Sequence, residues 1–282
     1  MPRVAIVVDS ASDLSPEDAA KNGIATVPLL VTFGTTEFRT GIDLSTERFW
    51  DMMIAPGAPF PKTAACSPGD FQTAFQQAFD AGAESIVCIT VGDKLSGTNK
   101  SAHIAAEQTM AGRDIRIIDS ETASYGFGLL AIMASEMAGG GAGADEIAAT
   151  VERRKADSRL YVVLETLEYL KRGGRISAAR AAIGGVLSVK PIITIEHGEV
   201  ETADTPRTRG KARERLVELL TAKPIERAVV LEGRAPDADA FATELATRAA
   251  LPAGSIPVRA IGPSVGPHVG PGAYGAVVIY RA

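Results

Sequence analysis

The chain has 282 residues, 46% of them hydrophobic, which exceeds the roughly 100 to 200 residues of an ordinary domain and predicts two domains, each burying its own core. A formal net charge of −5 without a long basic run disfavours a nucleic-acid-binding face, and 5% aromatic residues against 28 glycines leave the apolar volume to Ala, Val, Ile and Leu rather than to stacking side chains. The cysteines, Cys66 and Cys88, form neither a CxxC motif nor a disulfide framework, so a reducing compartment fits and a cysteine metal cluster does not.

The N-terminal segment MPRVAIVVDSASDL has a short apolar run broken by Asp9, too brief for a signal sequence or an integral membrane span, and the expectation is a cytoplasmic protein. Residues 4–8 are β-branched or small and end at Asp9-Ser10, the pattern of a strand buried on both faces; runs at 24–33, 85–91 and 115–118 read the same way. Ser15-Pro16-Glu17-Asp18 and Ser67-Pro68-Gly69-Asp70 each place Ser at an N-cap, Pro at the first helical position and Asp three residues after the cap. In the second of these helices Phe71, Ala74, Phe75, Ala78 and Phe79 share one face before Gly82 ends it. Alternation of strand and helix to about residue 138 predicts a parallel sheet with right-handed crossovers, hence a three-layer α/β domain.

The Gly-rich run from Gly139, between a helix starting near Gly126 and another over 144–156, marks the expected domain edge, with domains at 1–140 and 141–282. It follows a helix rather than a strand, which makes it a poor dinucleotide fingerprint. Beyond it the pattern becomes α+β. A short strand LYVVLE precedes a helix through LEYLKR and a second helix from Ser177, and a hairpin turns at His197-Gly198. Then come a helix at 209–220, a strand at 227–232, a helix at 236–249 and two C-terminal strands. The expected ligand cleft lies between the two domains.

Hydroxyl- and glycine-rich turns that follow apolar runs carry the candidate chemistry: Thr63, Ser96, Ser120, and His268 in IGPSVGPHVGPGAYG. Small donors of this kind make a polar floor suited to a carboxylate. Ser96 reads equally as a plain N-cap and as a cap that also holds an anion, and Thr63 as a loop residue. Glycines around His268 allow close backbone approach, and its imidazole can donate to an anion. His103 and His197 receive no role, and the scattered histidines form no metal motif. Gly262-Pro263-Ser264-Val265-Gly266 matches G-x-S-x-G, but a nucleophile elbow needs a helix directly after the Ser and an acid and a His later, whereas Pro-His-Val-Gly-Pro comes next. No Walker lysine is present, so nucleotide cleavage is not expected. Lys171-Arg172-Gly173-Gly174-Arg175 reads as a basic helix end, and Arg207 and Arg209 as a solvated helix start.

Eight blocks in order resemble the DegV family from Val4 to nearly the last residue: VVDSASDL, TAACSPGDF, LSGTNKSAHIA, IIDSETASYGFG, LETLEYLKRGGRIS, VKPIITIEHGEV, RTRGKA and GPHVGPGAYG. The resemblance implies a two-domain α/β protein that binds a long-chain fatty acid between its domains, its carboxylate on Thr63, Ser96 and His268 with a backbone donor at Gly97. It further implies Arg207 near the head group, and Arg175 facing a separate ATP-using fatty acid kinase subunit that makes the acyl phosphate for phospholipid synthesis. On this reading the chain is a carrier and no enzyme, with the fatty acid as its ligand and no cofactor. The alternatives are a serine-dependent acyl hydrolase or transferase using Ser96 or Ser264 with His268, and a lipid sensor without a kinase. Two departures from the family pattern, Ala64-Ala65-Cys66 for Ser-Gln-Pro and Gly92-Asp93-Lys94 for a serine-rich approach, alter the pocket mouth or the partner surface.

Overall fold

The computed structural model describes residues 3–176 and 189–281; the helix expected from Ser177 lies outside the described residues. The first body is built on a parallel sheet of β1 (Val4–Asp9), β2 (Ile24–Val27), β6 (Ser85–Thr90) and β7 (Ile115–Asp119), in the order β2-β1-β6-β7. Every residue of β6 is buried, as a continuous apolar strand covered on both faces requires. Helices α3 (Pro68–Asp80) and α4 (Thr98–Ile104) pack on each other and on the sheet, and α5 (Tyr125–Gly139) and α6 (Ala144–Arg154) form a second such pair. The result is the three-layer α/β arrangement.

Local sequence explains the helix starts. Ser15 accepts from the Asp18 amide to cap α1 (Pro16–Lys21), and Ser67 and Asp70 cap α3 reciprocally, each side chain accepting from the other's backbone N–H. Phe71, Phe75 and Phe79 of α3 are buried as their spacing predicts. The run at 24–33 is not one strand. Pro28 has no N–H, and the Leu29 amide donates to Ser10 Oγ at 2.8 Å, so pairing with β1 stops at Val27. The chain then leaves as β3 (Leu30–Phe33), pairing antiparallel with β4 (Thr36–Arg39) and β5 (Lys62–Ala64) in a separate sheet. Past the edge expected at residue 140, α6 stays on the first body, packed on β6 and β7.

The second body holds six strands in the order β10-β9-β8-β13-β11-β12: β8 (Ser158–Val163), β9 (Ile192–Glu196), β10 (Glu199–Asp204), β11 (Ile225–Gly233), β12 (Val258–Ala260) and β13 (Ala273–Tyr280). The β9–β10 hairpin turns on His197 and Gly198, both at positive φ (51° and 78°), the conformation that matches the twist of the paired strands. Along β13, Tyr274, Ala276, Val278 and Tyr280 pack toward α8 (Arg209–Leu220) and α9 (Ala238–Arg248), while Ala273, Val277 and Ile279 join the core shared with the first body. Period-two alternation therefore buries both faces of this sheet, one under its own helices and one against the first body.

Polar contacts fix the two bodies to each other. Arg259 grips Asp18 through two hydrogen bonds at 2.6 and 3.0 Å, the Gly262 amide donates to Asp13, and Trp50 on α2 (Thr46–Ile54) donates its indole N–H to the Ile261 carbonyl at 2.8 Å. All three meet the strand and turn that lead to His268.

Candidate ligand site between the two bodies

The shared face of the second sheet encloses a cavity with the first body. About 840 Å³ of space not filled by protein atoms lies in it, counting the open solvent at its mouth. Alternate residues of the second sheet point into it, Leu160 and Val162 from β8, Ile193 and Ile195 from β9, Val200 from β10 and Leu231 from β11, and Ala11, Leu29, Val91 and Ala123 close it from the first body. The lining is mainly aliphatic, and among the described residues it contains no Phe, Tyr or Trp, which suits a flexible hydrocarbon better than a flat ring.

One end of the cavity is polar. Thr63 on β5 and His268 meet across the two bodies, Thr63 Oγ1 lying 3.1 Å from His268 Nε2. His268 sits on a one-turn helix, α10 (Gly266–Val269), started by Pro267 in its first turn, where the sequence reads as an irregular loop. Its Nδ1 is buried without a hydrogen-bond partner among the described residues and faces Gly173, where an added Cβ would stand only 2.2 Å away. The tautomer that leaves no buried N–H without an acceptor carries its proton on Nε2 and donates to Thr63, which frees the threonine hydroxyl proton for an anion. Burial, and then the nearby Arg175 charge, push the imidazole pKa down to about 4, so the ring is neutral at physiological pH.

Ser96 and Arg175 complete this end. Ser96 lines the cavity, with its Oγ 2.9 Å from Thr98 Oγ1. The N-cap position of α4 belongs to Gly97 rather than to Ser96, because the turn from Gly92 through Ser96 ends one residue later than the sequence suggests. Arg175 lines the cavity too, its Nε donating to the Leu95 carbonyl at 3.1 Å and an Nη to the Gly173 carbonyl at 2.7 Å. Outside this group lies a polar hollow lined by Gly97, Asp93, Lys94, Gly174, Glu199 and Arg175, and Lys94 pairs with Glu199 across it at 3.0 Å. The two departures from the family pattern fall here. Ala64 and Ala65 line the cavity, Cys66 is buried, and Asp93 and Lys94 line the hollow.

Arg207 is not brought to this group. It is exposed on the turn between β10 and α8 and is absent from the cavity wall. Ser120 is also elsewhere, its Oγ donating to the Thr122 carbonyl. A one-turn helix does follow Ser264, two residues on, but the Ser264 hydroxyl pairs with Ser10 at 3.0 Å, that of Ser96 pairs with Thr98, and the imidazole Nε2 pairs with Thr63. Neither serine is arranged against His268 as a nucleophile is against its base. Among the described residues no group of three or more His, Cys, Asp and Glu is placed to hold a metal, and no helix is long and apolar enough to cross a membrane.

Sequence reasoning missed Gly173 as the neighbour of His268 and Ser124 as part of the cavity wall, and it offered Ser264 only as an alternative nucleophile. The signal available for the aliphatic lining was IITIE, where apolar residues at successive positions mean that both faces of the strand are covered.

A mainly aliphatic cavity between the two bodies, with a hydroxyl and imidazole end, has the geometry of a site for an amphipathic chain. The sequence profile of the DegV family matches residues 3–281, and this chain belongs to that family. A DegV domain-containing protein of Streptomyces coelicolor is 34% identical over 99% of both chains, and one of Caldanaerobacter subterraneus is 34% identical over 98% of both. Among solved structures, a fatty-acid-binding DegV family protein from Thermus thermophilus superposes with a TM-score of 0.90 at 32% identity, covering 99% of this chain and 100% of the other. DegV of Bacillus subtilis, described as a fatty acid binding protein, gives 0.86 at 27% over 100% of both chains. A stearic-acid-binding protein of Eubacterium ventriosum gives 0.84 at 28% over 99% of this chain and 98% of its own.

Proposed function

We infer that this protein binds a long-chain fatty acid in the cavity between its two bodies and presents the carboxylate to a separate ATP-dependent kinase subunit. The observation that carries the reading is the pairing of an aliphatic cavity with one polar end, at which residues from both bodies meet. Burying about ten methylenes at ~0.8 kcal/mol each supplies roughly 8 kcal/mol of gross affinity before ordering costs. The carboxylate end takes the Thr63 and Ser96 hydroxyls, and His268 acts on it through Thr63. A carboxylate held by neutral hydroxyls keeps more of its nucleophilicity toward a γ-phosphate than one locked in a bidentate arginine clamp.

Arg175 supports the presenting role. Its guanidinium is tied to backbone carbonyls at the boundary between the cavity and the outer hollow, where an incoming subunit would meet the head group. Incubation with oleate, ATP-Mg and a purified fatty acid kinase subunit, with hydroxylamine to trap acyl phosphate, tests this. Hydroxamate that forms only when both proteins are present, and that falls in Arg175→Ala without loss of oleate binding, is the expected result. Oleate binding with no hydroxamate would point to a lipid sensor, and hydroxamate or acyl-ester turnover by this protein alone would point to an enzyme.

A further inference from the structure

Two hydroxyls in the cavity wall belong to neither the carboxylate end nor the hydrocarbon bed. Ser124 and Ser264 line the cavity and are almost fully buried. The direction of their protons follows from their partners. Thr40 donates its one hydroxyl proton to the Leu29 carbonyl at 3.0 Å, so Ser10, 2.5 Å from Thr40, donates to it. Ser10 Oγ, which already accepts from the Leu29 amide, then accepts from Ser264 at 3.0 Å. Ser124 donates in the same sense to Asp13 at 2.6 Å. With their protons so engaged, both serines have lone pairs, and no proton, left to offer a ligand in the cavity they line.

The pair is held as one unit. The second oxygen of Asp13 accepts from the amide of Gly262, two residues before Ser264. Ser124 adopts φ 56° and ψ −149°, a conformation almost confined to glycine. Its amide bond to the Ala11 carbonyl at 2.7 Å and its side-chain bond to Asp13 hold it there. Glycine would relieve the backbone and delete the hydroxyl. An acceptor facing an apolar chain without a donor is unfavourable, and a donor on the ligand removes that penalty.

We propose that Ser124 and Ser264 form a second polar position in the cavity, which accepts a hydrogen bond from a hydroxyl carried along the chain of a bound fatty acid. The proposal rests on the fatty-acid reading above and narrows its ligand to a hydroxylated subclass. Calorimetric titration of delipidated protein with stearate, and with hydroxystearates bearing the hydroxyl at successive positions, tests it. The titrations are run at about pH 8, above the value near 7 to which burial raises Asp13, so that the carboxylate is ionised. One positional isomer is expected to bind about fivefold more tightly than stearate, the effect of one net hydrogen bond. The ratio of that isomer's affinity to stearate's is expected to fall to near one in both Ser264→Ala and Ser124→Gly, whatever happens to stearate affinity itself. Stearate binding as tightly as every isomer in the wild type, or a ratio unchanged in both variants, overturns the proposal and leaves the fatty-acid reading intact. Failure of stearate and all isomers to bind overturns both.

Discussion

A single methyl group at Gly173 reaches the anion end of the cavity. The residue has φ −75°, so alanine is tolerated by the backbone, yet its Cβ would stand 2.2 Å from His268 Nδ1 and force the ring away from Thr63. Gly173→Ala is therefore expected to keep its fold by circular dichroism while binding fatty acid about tenfold more weakly, a difference of roughly 1.4 kcal/mol. His268 itself is expected to titrate near 4 by NMR in the ligand-free protein and to move upward when a carboxylate binds beside it, since an anion favours the charged ring. An ordinary titration near 6.5 in the free protein would contradict the burial assigned to it. At this scale hydroxyls and a Gly-flanked imidazole in turns mark Thr63, Ser96 and His268 as candidates, and all three line one cavity, while their assignment to a carboxylate rests on the family resemblance. Gly173 was not legible, because its importance lies in a space that only packing defines.

The turn from β12 through α10 places the site, and α2 braces it. Trp50→Phe deletes the hydrogen bond to the Ile261 carbonyl while keeping most of the ring contacts, which should cost about 1 to 2 kcal/mol in urea unfolding and weaken fatty acid binding with it. Ser67→Ala, at the cap of α3 far along the chain from that turn, should cost about 1 kcal/mol and leave binding unchanged. Equal effects of the two variants on binding would mean that α2 does not position the site. Most elements were legible from caps and periodicity. The split of the run at 24–33 was not, because an apolar stretch does not reveal which sheet it joins, and Pro28 signals only that pairing ends. Helix α10 was hidden among glycines and prolines that read as a loop until packing against α7 (Glu168–Arg172) is seen.

Across the whole molecule, two buried acids, Asp9 within the first body and Asp13 at the join, make stability depend on pH. Burial raises both Asp9 and Asp13 from the ordinary 3.8 to about 7, so the folded state binds more protons than the unfolded one between those values, and stability falls as pH rises through that window. His268, lowered to about 4 from 6.5, acts in the opposite sense and only up to 6.5, which leaves the Asp contribution unopposed between 6.5 and about 7. Urea denaturation should therefore show lower stability at about pH 7.5 than at about pH 6.5, with the difference reduced in Asp13→Asn. The three-layer first body and the order of the family blocks were legible in the chain. The enclosing of a cavity by alternate residues of β8, β9, β10 and β11 was not, because it depends on the pairing of distant strands. The most direct test of the fatty-acid assignment is to denature the purified protein, extract it with organic solvent and identify the released lipid by mass spectrometry beside Ser96→Ala. Near-equimolar long-chain fatty acid from the wild type and a clear reduction in the variant are expected; wild-type protein that yields none, and takes up none when fatty acid is added, would contradict it.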